Sequence, residues 1–327
     1  MKFKIVLLIF DPEDTFASTP EALPKTLSSI RQLRGNFELV IVFNSPVCVA
    51  PKTFEFLVHY QRCNPQVFLV QQEKKQGISV GLNTGASQGD PDYDILIMMS
   101  GDALIVDPDI LIEFEFLFSK YPKIGCLHSI SIFEDSPNLC NYSSDFTMQC
   151  FHNHLNRGTE HCLSIESNIL NELPGFVQSV KNRKQEVIYP LPTLPLTFFA
   201  VRSRLFKTLS GFDEAFLCGH ENNDFIVRAL KTGYYAAAAN RAFIYHRRLF
   251  FRILGQAGKN RSIYNQLAGQ SARAWKSKYG NRDILETFYE IRFGSFFAKY
   301  LLPIAKITRQ NLKKIFRKSN LLKIFRN

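Results

Sequence analysis

The amino-acid sequence predicts an α/β protein with a doubly wound, mixed sheet and helices on both of its faces. Four short apolar runs, KFKIVLLIF, FELVIVF, QVFLVQ and DILIMM, occur in the first 100 residues, each bounded by Pro, Asn, Gly or Asp. Runs of this length and texture are typical of parallel strands that are buried on both faces. Segments with helical periodicity lie between them, so the first 120 residues alternate between strand and helix.

Two of these helices follow from the spacing of apolar residues. The first, between the first two strands, has its apolar residues at helical intervals: Leu23, Leu27, Ile30 and Leu33. The second begins after Pro108, which follows the fourth strand, because a proline is well tolerated in the first turn of a helix. This alternation predicts a sheet in which each crossover is a helix.

The second half of the chain repeats the pattern less regularly. Residues 124–195 are rich in Asn, Ser and Pro, after which LTFFAVRSRLF predicts a strand and Ser210-Gly211 a turn. NNDFIVRALKTG predicts a helix with Gly233 as its C-terminal cap. The segment YYAAAANRAFIYH that follows predicts a pair of strands.

Composition excludes several classes of protein. A chain of 327 residues with 46% hydrophobic content can bury a full core, and no apolar run reaches the roughly 18 residues that a membrane span needs. The N-terminal apolar run stops at Asp11 without a small-residue cleavage site, so it predicts a strand and not a signal peptide. Seven scattered cysteines fit a reducing compartment. We therefore expect a cytoplasmic protein.

The formal charge of +11 comes from the C-terminal tail. Residues 291–327 contain ten of the 40 basic residues and no acidic one, which leaves 30 basic against 29 acidic residues before them. Within residues 296–327 apolar and basic residues alternate at approximately helical spacing, as in helices that lie on anionic membrane surfaces. This predicts peripheral association with the inner face of a membrane, while a plain surface helix remains the alternative. No nucleic-acid motif is present, and no nucleic-acid partner is expected.

A first group of candidate site residues follows the fourth strand. Ser100, Gly101 and Asp102 come directly after its apolar run. In open α/β sheets ligands bind beyond the carboxyl ends of the strands, so these residues lie where a ligand is expected. The Asp102 carboxylate suits a divalent cation held against a diphosphate, although a turn-forming or capping Asp is the alternative.

A second group is spread over the stretch SGFDEAFLCGHENNDFIVRALKTGYYAAAANRAFIYHRR. Five of its acidic and histidine residues fall within twelve positions, beside a predicted helix start, and a further histidine ends the apolar segment: Asp213, Glu214, His220, Glu221, Asp224 and His246. Such a cluster could supply a general base and a metal ligand. A solvated helix N-terminus explains the acids equally well.

Taken together, the two stretches resemble the family-2 inverting glycosyltransferases, especially their rhamnosyltransferase-like branch. The motifs that carry the resemblance are Gln76-Gly77 with Asn83 and Gly85, SGDALIVDPD, GFDEAF, the E-x-x-D-F-x-x-R of Glu221 to Arg228, and His246 after its apolar run. They cover roughly residues 1–250. A weaker similarity continues through SIYNQLAGQSARAWKSKYG.

The resemblance implies a GT-A fold and a specific chemistry. A nucleotide-sugar would lie over the first sheet, with Gln76, Gly77 and Asn83 among the residues that contact it. Asp102 would contact Mg²⁺ or Mn²⁺ on the diphosphate, and His246 would help to hold that metal. An acid at the start of the helix that contains Arg228 would deprotonate a hydroxyl of a glycan or lipid-linked acceptor, as in polysaccharide biosynthesis.

The sequence departs from the family at three positions. Family members usually place an Asp after the second strand to hold the nucleotide base, whereas this chain has Phe43-Asn44-Ser45 there, with Asn44 as the candidate donor contact. The acid two residues before Asp102 is replaced by Ser100. At the position of the catalytic base, the acidic pair that is usual in the family reads Glu221-Asn222. The Asn222 amide cannot accept the proton of the acceptor hydroxyl. Either Glu221 or Asp224 is then the base, or the domain is a non-catalytic one that binds a glycan or partner at a membrane.

The resemblance also suggests a division of the chain. We expect a GT-A domain over residues 1–250, with a donor half at 1–120 and an acceptor half at 121–250, followed by a helical extension at 251–327. A patch in the irregular middle segment has a Cys/His composition that could ligate zinc, but its spacing matches no structural zinc pattern. Its members are Cys150, His152, His154, His161 and Cys162, and an acceptor-side loop is the other interpretation.

Overall fold

The computed structural model of the chain describes residues 1–11, 14, 21–45, 47–72, 77–133, 187–188, 191, 193–246 and 258–293. The strands within these residues are β1 (Lys2–Ile9), β2 (Asn36–Phe43), β3 (Val67–Gln71), β4 (Ile95–Ser100), β5 (Ala103–Ile105), β6 (Ile124–Phe133), β7 (Val187–Ile188), β8 (Phe198–Arg202) and β9 (Tyr235–His246). The helices are α1 (Ala22–Ile30), α2 (Pro51–Cys63), α3 (Ile78–Ser87), α4 (Ile110–Lys120), α5 (Ser203–Thr208), α6 (Glu221–Lys231), α7 (Gly258–Tyr279) and α8 (Ile284–Phe293).

The described strands form one mixed sheet in the order β3-β2-β1-β4-β8-β6-β9-β5, with β7 paired to β9. β1 is parallel to β2 and β4, and β3 is parallel to β2, as the strand–helix alternation predicts. β8 runs antiparallel to β4 and β6, so the second half of the chain continues the sheet in mixed orientation. The predicted doubly wound α/β sheet is confirmed.

The strand order reverses at β1. The chain passes from β1 to β2 and β3 on one side and then returns to place β4 on the other side. A crevice opens at such a switch point beyond the carboxyl ends of the two strands, and ligands of open α/β sheets bind there. β4 ends at Ser100, so the candidate residues that follow it lie at this crevice.

Helices cover both faces of the sheet, as predicted. α1 and α4 pack on one face through side chains such as Leu27 and Phe114, which share a buried cluster with Ile97 of β4. α3 and α6 pack on the opposite face through Leu82 and Phe225. Successive side chains of a strand point to opposite faces, which is why fully apolar strands form here.

One glycine sets how closely α3 approaches the sheet. A Cβ atom at Gly85 would lie 2.4 Å from Cγ1 of Val6 and 2.7 Å from Cγ2 of Val42. A side chain there would push the helix away from β1 and β2. Gly85, one of the residues that carry the family resemblance, is therefore required by packing.

The predicted strand pair in YYAAAANRAFIYH is wrong, because this segment forms the single strand β9. β9 runs parallel to β6 along both of its halves, with a register shift in which His128 pairs with Ala238 and Ile130 with Phe243. The middle of the segment is therefore an irregularity within one strand. On its side away from β6, β9 has two further partners. β7 pairs with Ala238–Ala239, and β5 pairs with the C-terminal end of β9.

The chain divides into two compact units, residues 1–277 and 278–327. In the second unit the described part contains α8, which begins with a reciprocal cap. The backbone N–H of Glu286 donates to Oδ1 of Asp283 over 2.8 Å, and the backbone N–H of Asp283 donates to Oε2 of Glu286 over 3.2 Å. Among the described helices, none combines the length and apolarity needed to cross a bilayer.

Candidate active site

The turn after β4 is fixed against its neighbours through the backbone of Gly101. Its N–H donates to the carbonyl of Leu8 in β1 over 3.1 Å, and its carbonyl accepts a hydrogen bond from Oγ1 of Thr26 in α1 over 3.0 Å. A Cβ at Gly101 would lie only 3.2 Å from the Leu8 carbonyl oxygen, which favours glycine. The turn therefore presents the next residue, Asp102, from a fixed backbone.

Asp102 and His246 are in direct contact. Nε2 of His246 lies 3.2 Å from Oδ1 of Asp102, and the two residues are only 6% and 9% exposed. β5 begins at Ala103, which pairs with His246 at the end of β9. Oγ of Ser100 donates to the same carboxylate oxygen, and Oγ1 of Thr197 lies 3.4 Å from Nδ1 of His246.

These contacts give Ser100 a definite role. An acid at this position would place a second negative charge beside Asp102, whereas the Ser100 hydroxyl donates a hydrogen bond to it. The hydroxyl therefore orients the Asp102 carboxylate. The replacement of the family's usual acid by Ser100 therefore exchanges a charge repulsion for a hydrogen bond.

The chemistry of this pair fits a divalent metal that binds together with a diphosphate. One carboxylate and one imidazole are suitable ligands for Mn²⁺, and Mg²⁺ is typically held by one or two carboxylates with substrate phosphates and water. Within the described residues no group of three or more His, Cys, Asp or Glu side chains could hold a metal alone. Oxygen atoms of the donor and water would have to complete the coordination.

A second histidine, His128, lies near the pair and packs within the sheet. His128 of β6 is fully buried, and its Nδ1 contacts the carbonyl of Ser129. Removal from water lowers the pKa of His128 to about 3, and the proximity of His246 acts in the same direction. The side chain is therefore neutral at physiological pH.

Glu221 begins α6, and its carboxyl group is buried. It is 5% exposed, and its Oε2 has no hydrogen-bond partner within the part of the chain that the structure describes. Burial raises the pKa of Glu221 to about 7, against the opposing effect of backbone N–H groups of Gly219 and of Glu221 itself. A carboxyl group with this pKa can accept a proton at neutral pH.

The amide that follows Glu221 is held by the backbone. Nδ2 of Asn222 donates to the carbonyl of Leu194. Asn222 therefore joins the start of α6 to the segment before β8. It has no group that could act as a base.

The side chain of Asp224, the other candidate base, is paired with Arg228. Its buried carboxylate accepts a hydrogen bond from Nε of Arg228 over 2.7 Å. The other two nitrogens of that guanidinium donate to the carbonyls of Leu209 over 2.7 Å and Gly211 over 2.9 Å. The E-x-x-D-F-x-x-R pattern thus ties α6 to the Ser210-Gly211 turn, where both residues have positive φ.

Asn83, which is expected to contact the donor, is hydrogen-bonded to the GFDE turn. Its Nδ2 donates to the carbonyl of Phe212 and its Oδ1 accepts the N–H of Phe212, both over 2.9 Å. Nδ2 is also 3.1 Å from Oε1 of Glu214. Asn83 therefore joins α3 to the GFDE turn, and its expected contact with a nucleotide stays a prediction.

Gly77 lies at the same junction. The next backbone N–H, that of Ile78, donates to the carbonyl of Leu217 over 2.7 Å. A Cβ at Gly77 would lie 2.6 Å from the Cα of Leu217, so no side chain fits there. The glycine permits a close approach of α3 to the turn before α6.

Asn44 lies at the carboxyl end of β2, where a nucleotide contact is expected. Its backbone N–H donates to the carbonyl of Ile9 over 2.8 Å, and the side chain is buried. The Asn44 amide faces α3, since a Cβ at Gly81 would lie 3.6 Å from its Nδ2. Its predicted role toward a donor stays a prediction.

Sequence reasoning missed the support that α7 gives to the start of α6. The ring of Trp275 stacks on His220 with centroids 5.1 Å apart and an interplanar angle of 30°, and it meets the edge of Phe216 at 6.4 Å. Oγ of Ser271 accepts the backbone N–H of Cys218 over 2.9 Å. No local pattern signals this contact, because the partners are about 55 positions apart in sequence.

Comparison with solved structures identifies the fold. The chain is similar to the mannosyltransferase PcManGT from Pyrobaculum calidifontis, solved with GDP-Man and Mn²⁺, with a TM-score of 0.50 and 13% identity over 97% of this chain and 88% of that one. It is also similar to GalNAc-T7, solved with UDP, GalNAc and Mn²⁺, with a TM-score of 0.54 and 13% identity over 93% of this chain and 57% of that one.

The chain has the GT-A fold. This confirms the fold that the resemblance implied, while the rhamnosyltransferase-like branch stays a prediction. No protein-family model matches the sequence, and no curated protein matches it either.

Within this GT-A fold, the structure brings together only some of the predicted site residues. Asp102, His246, Ser100 and Gly101 form one group at the switch point, and Glu221 begins a helix of the second half. Three predicted features lie outside the described residues: Gln76, the Cys/His patch at 150–162, and the basic segment 296–327. The division of the GT-A chain at residue 250 also stays a prediction.

Proposed function

We propose that the chain is a glycosyltransferase that moves a sugar from a nucleotide-sugar donor to a hydroxyl group of a glycan or lipid-linked acceptor, with inversion and with a divalent metal. The contact between Asp102 and His246 carries this proposal. It places a carboxylate and an imidazole at the switch point of a sheet whose fold is that of GT-A enzymes. Such a crevice is the expected place for a nucleotide.

The roles of the two residues follow from charge. Mg²⁺ or Mn²⁺ bound there would neutralise the negative charge that grows on the diphosphate as it leaves. Asp102 and His246 would supply the protein ligands, and Ser100 would keep the carboxylate oriented. The mannosyltransferase and GalNAc-T7 that share the fold were both solved with Mn²⁺, and the ligands in their structures are GDP-Man and UDP with GalNAc. These ligands support a nucleotide-sugar and Mn²⁺ as the first combination to test.

Glu221 is the proposed general base. Its Oε2, which has no hydrogen-bond partner among the described residues, and its pKa of about 7 suit the removal of a proton from an acceptor hydroxyl at neutral pH. The acceptor oxygen attacks the anomeric carbon, the bond from that carbon to the diphosphate oxygen breaks, and Glu221 takes the proton. A single displacement of this kind inverts the anomeric configuration.

One observation favours a second candidate, a GT-A domain that binds a glycan or partner without catalysis. The position aligned with the family's catalytic acid is Asn222, whose amide is engaged by the Leu194 carbonyl. In this alternative Glu221 would be a buried acid without a role in proton transfer. The predicted contact of residues 296–327 with an anionic membrane is compatible with either function and stays a prediction.

A transfer assay distinguishes the two candidates. The full chain is incubated with Mn²⁺, radiolabelled GDP-mannose, UDP-glucose, UDP-N-acetylgalactosamine or dTDP-rhamnose, and membrane lipid extract as acceptor, and release of the nucleoside diphosphate is measured as well. The proposal expects turnover of at least one donor, lost in Glu221→Gln. Donor binding without any turnover would support the non-catalytic candidate.

A further inference from the structure

Two polar atoms of consecutive residues at the start of α6 have no hydrogen-bond partner among the described residues. They are Nδ1 of His220 and Oε2 of Glu221, and both are buried without a hydrogen bond to any part of the chain that the structure describes. Buried polar groups in native proteins are nearly always satisfied, so two adjacent exceptions call for an explanation. The proposed base explains Glu221 but leaves His220 without a role.

The backbone of His220 is held in an unusual conformation. Its φ is +69°, which places a non-glycine residue in the left-handed region. His220 occupies the N-cap position of α6, yet its side chain makes no capping hydrogen bond. Residues in this region are concentrated at functional sites, because the surrounding structure must maintain them.

The imidazole of His220 is fixed by α7. Trp275 stacks on it at 5.1 Å, and Ser271 binds the backbone N–H of Cys218 two residues earlier. Trp275 itself is 6% exposed and also contacts Phe216. The stack holds the ring in place without using its nitrogen atoms.

We infer that His220 is an acceptor-binding residue: its Nδ1 binds a second hydroxyl group beside the one that Glu221 deprotonates, and Trp275 is the positioning residue that holds the imidazole. This inference rests on the proposed function and deepens it. His220 and Glu221 are consecutive residues at the start of α6, so the ligand class is one that carries several hydroxyl groups on one ring, a pyranose. A neutral imidazole can accept or donate the bond, depending on its tautomer.

Binding of simple glycosides to the full chain tests this inference. Saturation-transfer NMR measures the affinity of methyl α-D-mannopyranoside, methyl β-D-glucopyranoside and methyl α-L-rhamnopyranoside. The chain has a single tryptophan, so the emission of Trp275 gives a second signal from the same site. We expect saturable binding of at least one glycoside, with a matching change in emission.

Variants identify the residues responsible. His220→Asn should weaken glycoside binding at least tenfold, and asparagine is chosen because it tolerates positive φ, which keeps the fold. Trp275→Phe keeps an aromatic partner and should weaken binding less than Trp275→Leu. His59→Asn is the matched control, since His59 is exposed on α2.

The inference is overturned if none of the three glycosides binds, or if His220→Asn binds them with the wild-type affinity. Neither donor nor metal is present in this titration. Its failure is therefore separable from failure of the proposed transfer reaction, which is measured with a nucleotide-sugar and Mn²⁺. The affinities of the wild type and His220→Asn are compared only after circular dichroism has shown that the variant is folded.

Discussion

Nε2 of His246 lies 3.2 Å from Oδ1 of Asp102, although the residues are 144 positions apart in the sequence. The register of two strands produces this contact, because Ala103 of β5 pairs with His246 at the end of β9. Asp102 alone is one acid after a strand. The pairing of β5 with β9 turns it into half of a two-residue site.

The activity should depend on the ionisation of Glu221. Its pKa is raised to about 7 by burial, and only the deprotonated carboxylate can act as a base. We expect kcat/KM for transfer to rise with pH through about 7 and then level off. Glu221→Gln should lower it by about 100-fold or more, the usual contribution of general base catalysis. A pH profile that is flat between 5.5 and 8.5 would contradict this assignment.

The same group should affect folding stability with a predictable sign. The native state holds the Glu221 proton more tightly than the unfolded chain, so its contribution is fully present below the ordinary pKa of 4.5. It is lost as the pH rises through about 7. Relative to Glu221→Gln, the wild-type free energy of unfolding should therefore fall by about 3 kcal/mol between pH 4.5 and 8. Urea denaturation of both proteins across this range measures the difference, and a constant difference would show that Glu221 is not perturbed.

Asp224 should matter for stability and not for chemistry. Asp224→Asn leaves the Arg228 guanidinium without its carboxylate partner, and breaking a buried pair in this way costs about 3 kcal/mol. Thermal denaturation measures this loss, with the exposed Asp92→Asn as control. Donor affinity should be unchanged while the variant is folded. An Asp224→Asn protein that is fully stable but inactive would restore Asp224 as the catalytic base.

Asn83 should likewise act through folding. Asn83→Ala removes two hydrogen bonds to the backbone of Phe212 and leaves those groups without partners. We expect a loss of about 2 kcal/mol in the free energy of unfolding, since each such bond contributes about 1 kcal/mol. Ser87→Ala, at an exposed position on the same helix, is the control. If Asn83→Ala were stable and had lost affinity for a nucleotide-sugar, the side chain would belong to the donor site.

The parts of the fold that local patterns govern could be predicted from the sequence. The apolar runs of β1, β2, β3 and β4 are short, continuous and bounded by turn residues, which leaves parallel strands as the simplest interpretation. The position of Asp102 after β4 then follows from the rule for ligand sites in such sheets. Both predictions depend only on residues close in sequence.

The features that depend on distant contacts could not be predicted. The segment YYAAAANRAFIYH was expected to form two strands, but pairing with β6 on both sides of a register shift keeps β9 as one strand. The hydrogen bonds of Asn83 to Phe212, 129 positions away, had no signal in the sequence, and its role toward a donor stays a prediction. The stack of His220 on Trp275 has no signal in either segment.

Calorimetry with nucleotide-sugars tests the central claim most directly. GDP-mannose, UDP-glucose, UDP-N-acetylgalactosamine and dTDP-rhamnose are titrated into the full chain with Mn²⁺ or with EDTA. We expect one of them to bind, at least tenfold more weakly in EDTA, and at least tenfold more weakly to Asp102→Asn, while Asp92→Asn binds like the wild type. The absence of binding by all four donors, or an Asp102→Asn affinity equal to that of the wild type, would contradict a metal-dependent donor site at Asp102 and His246.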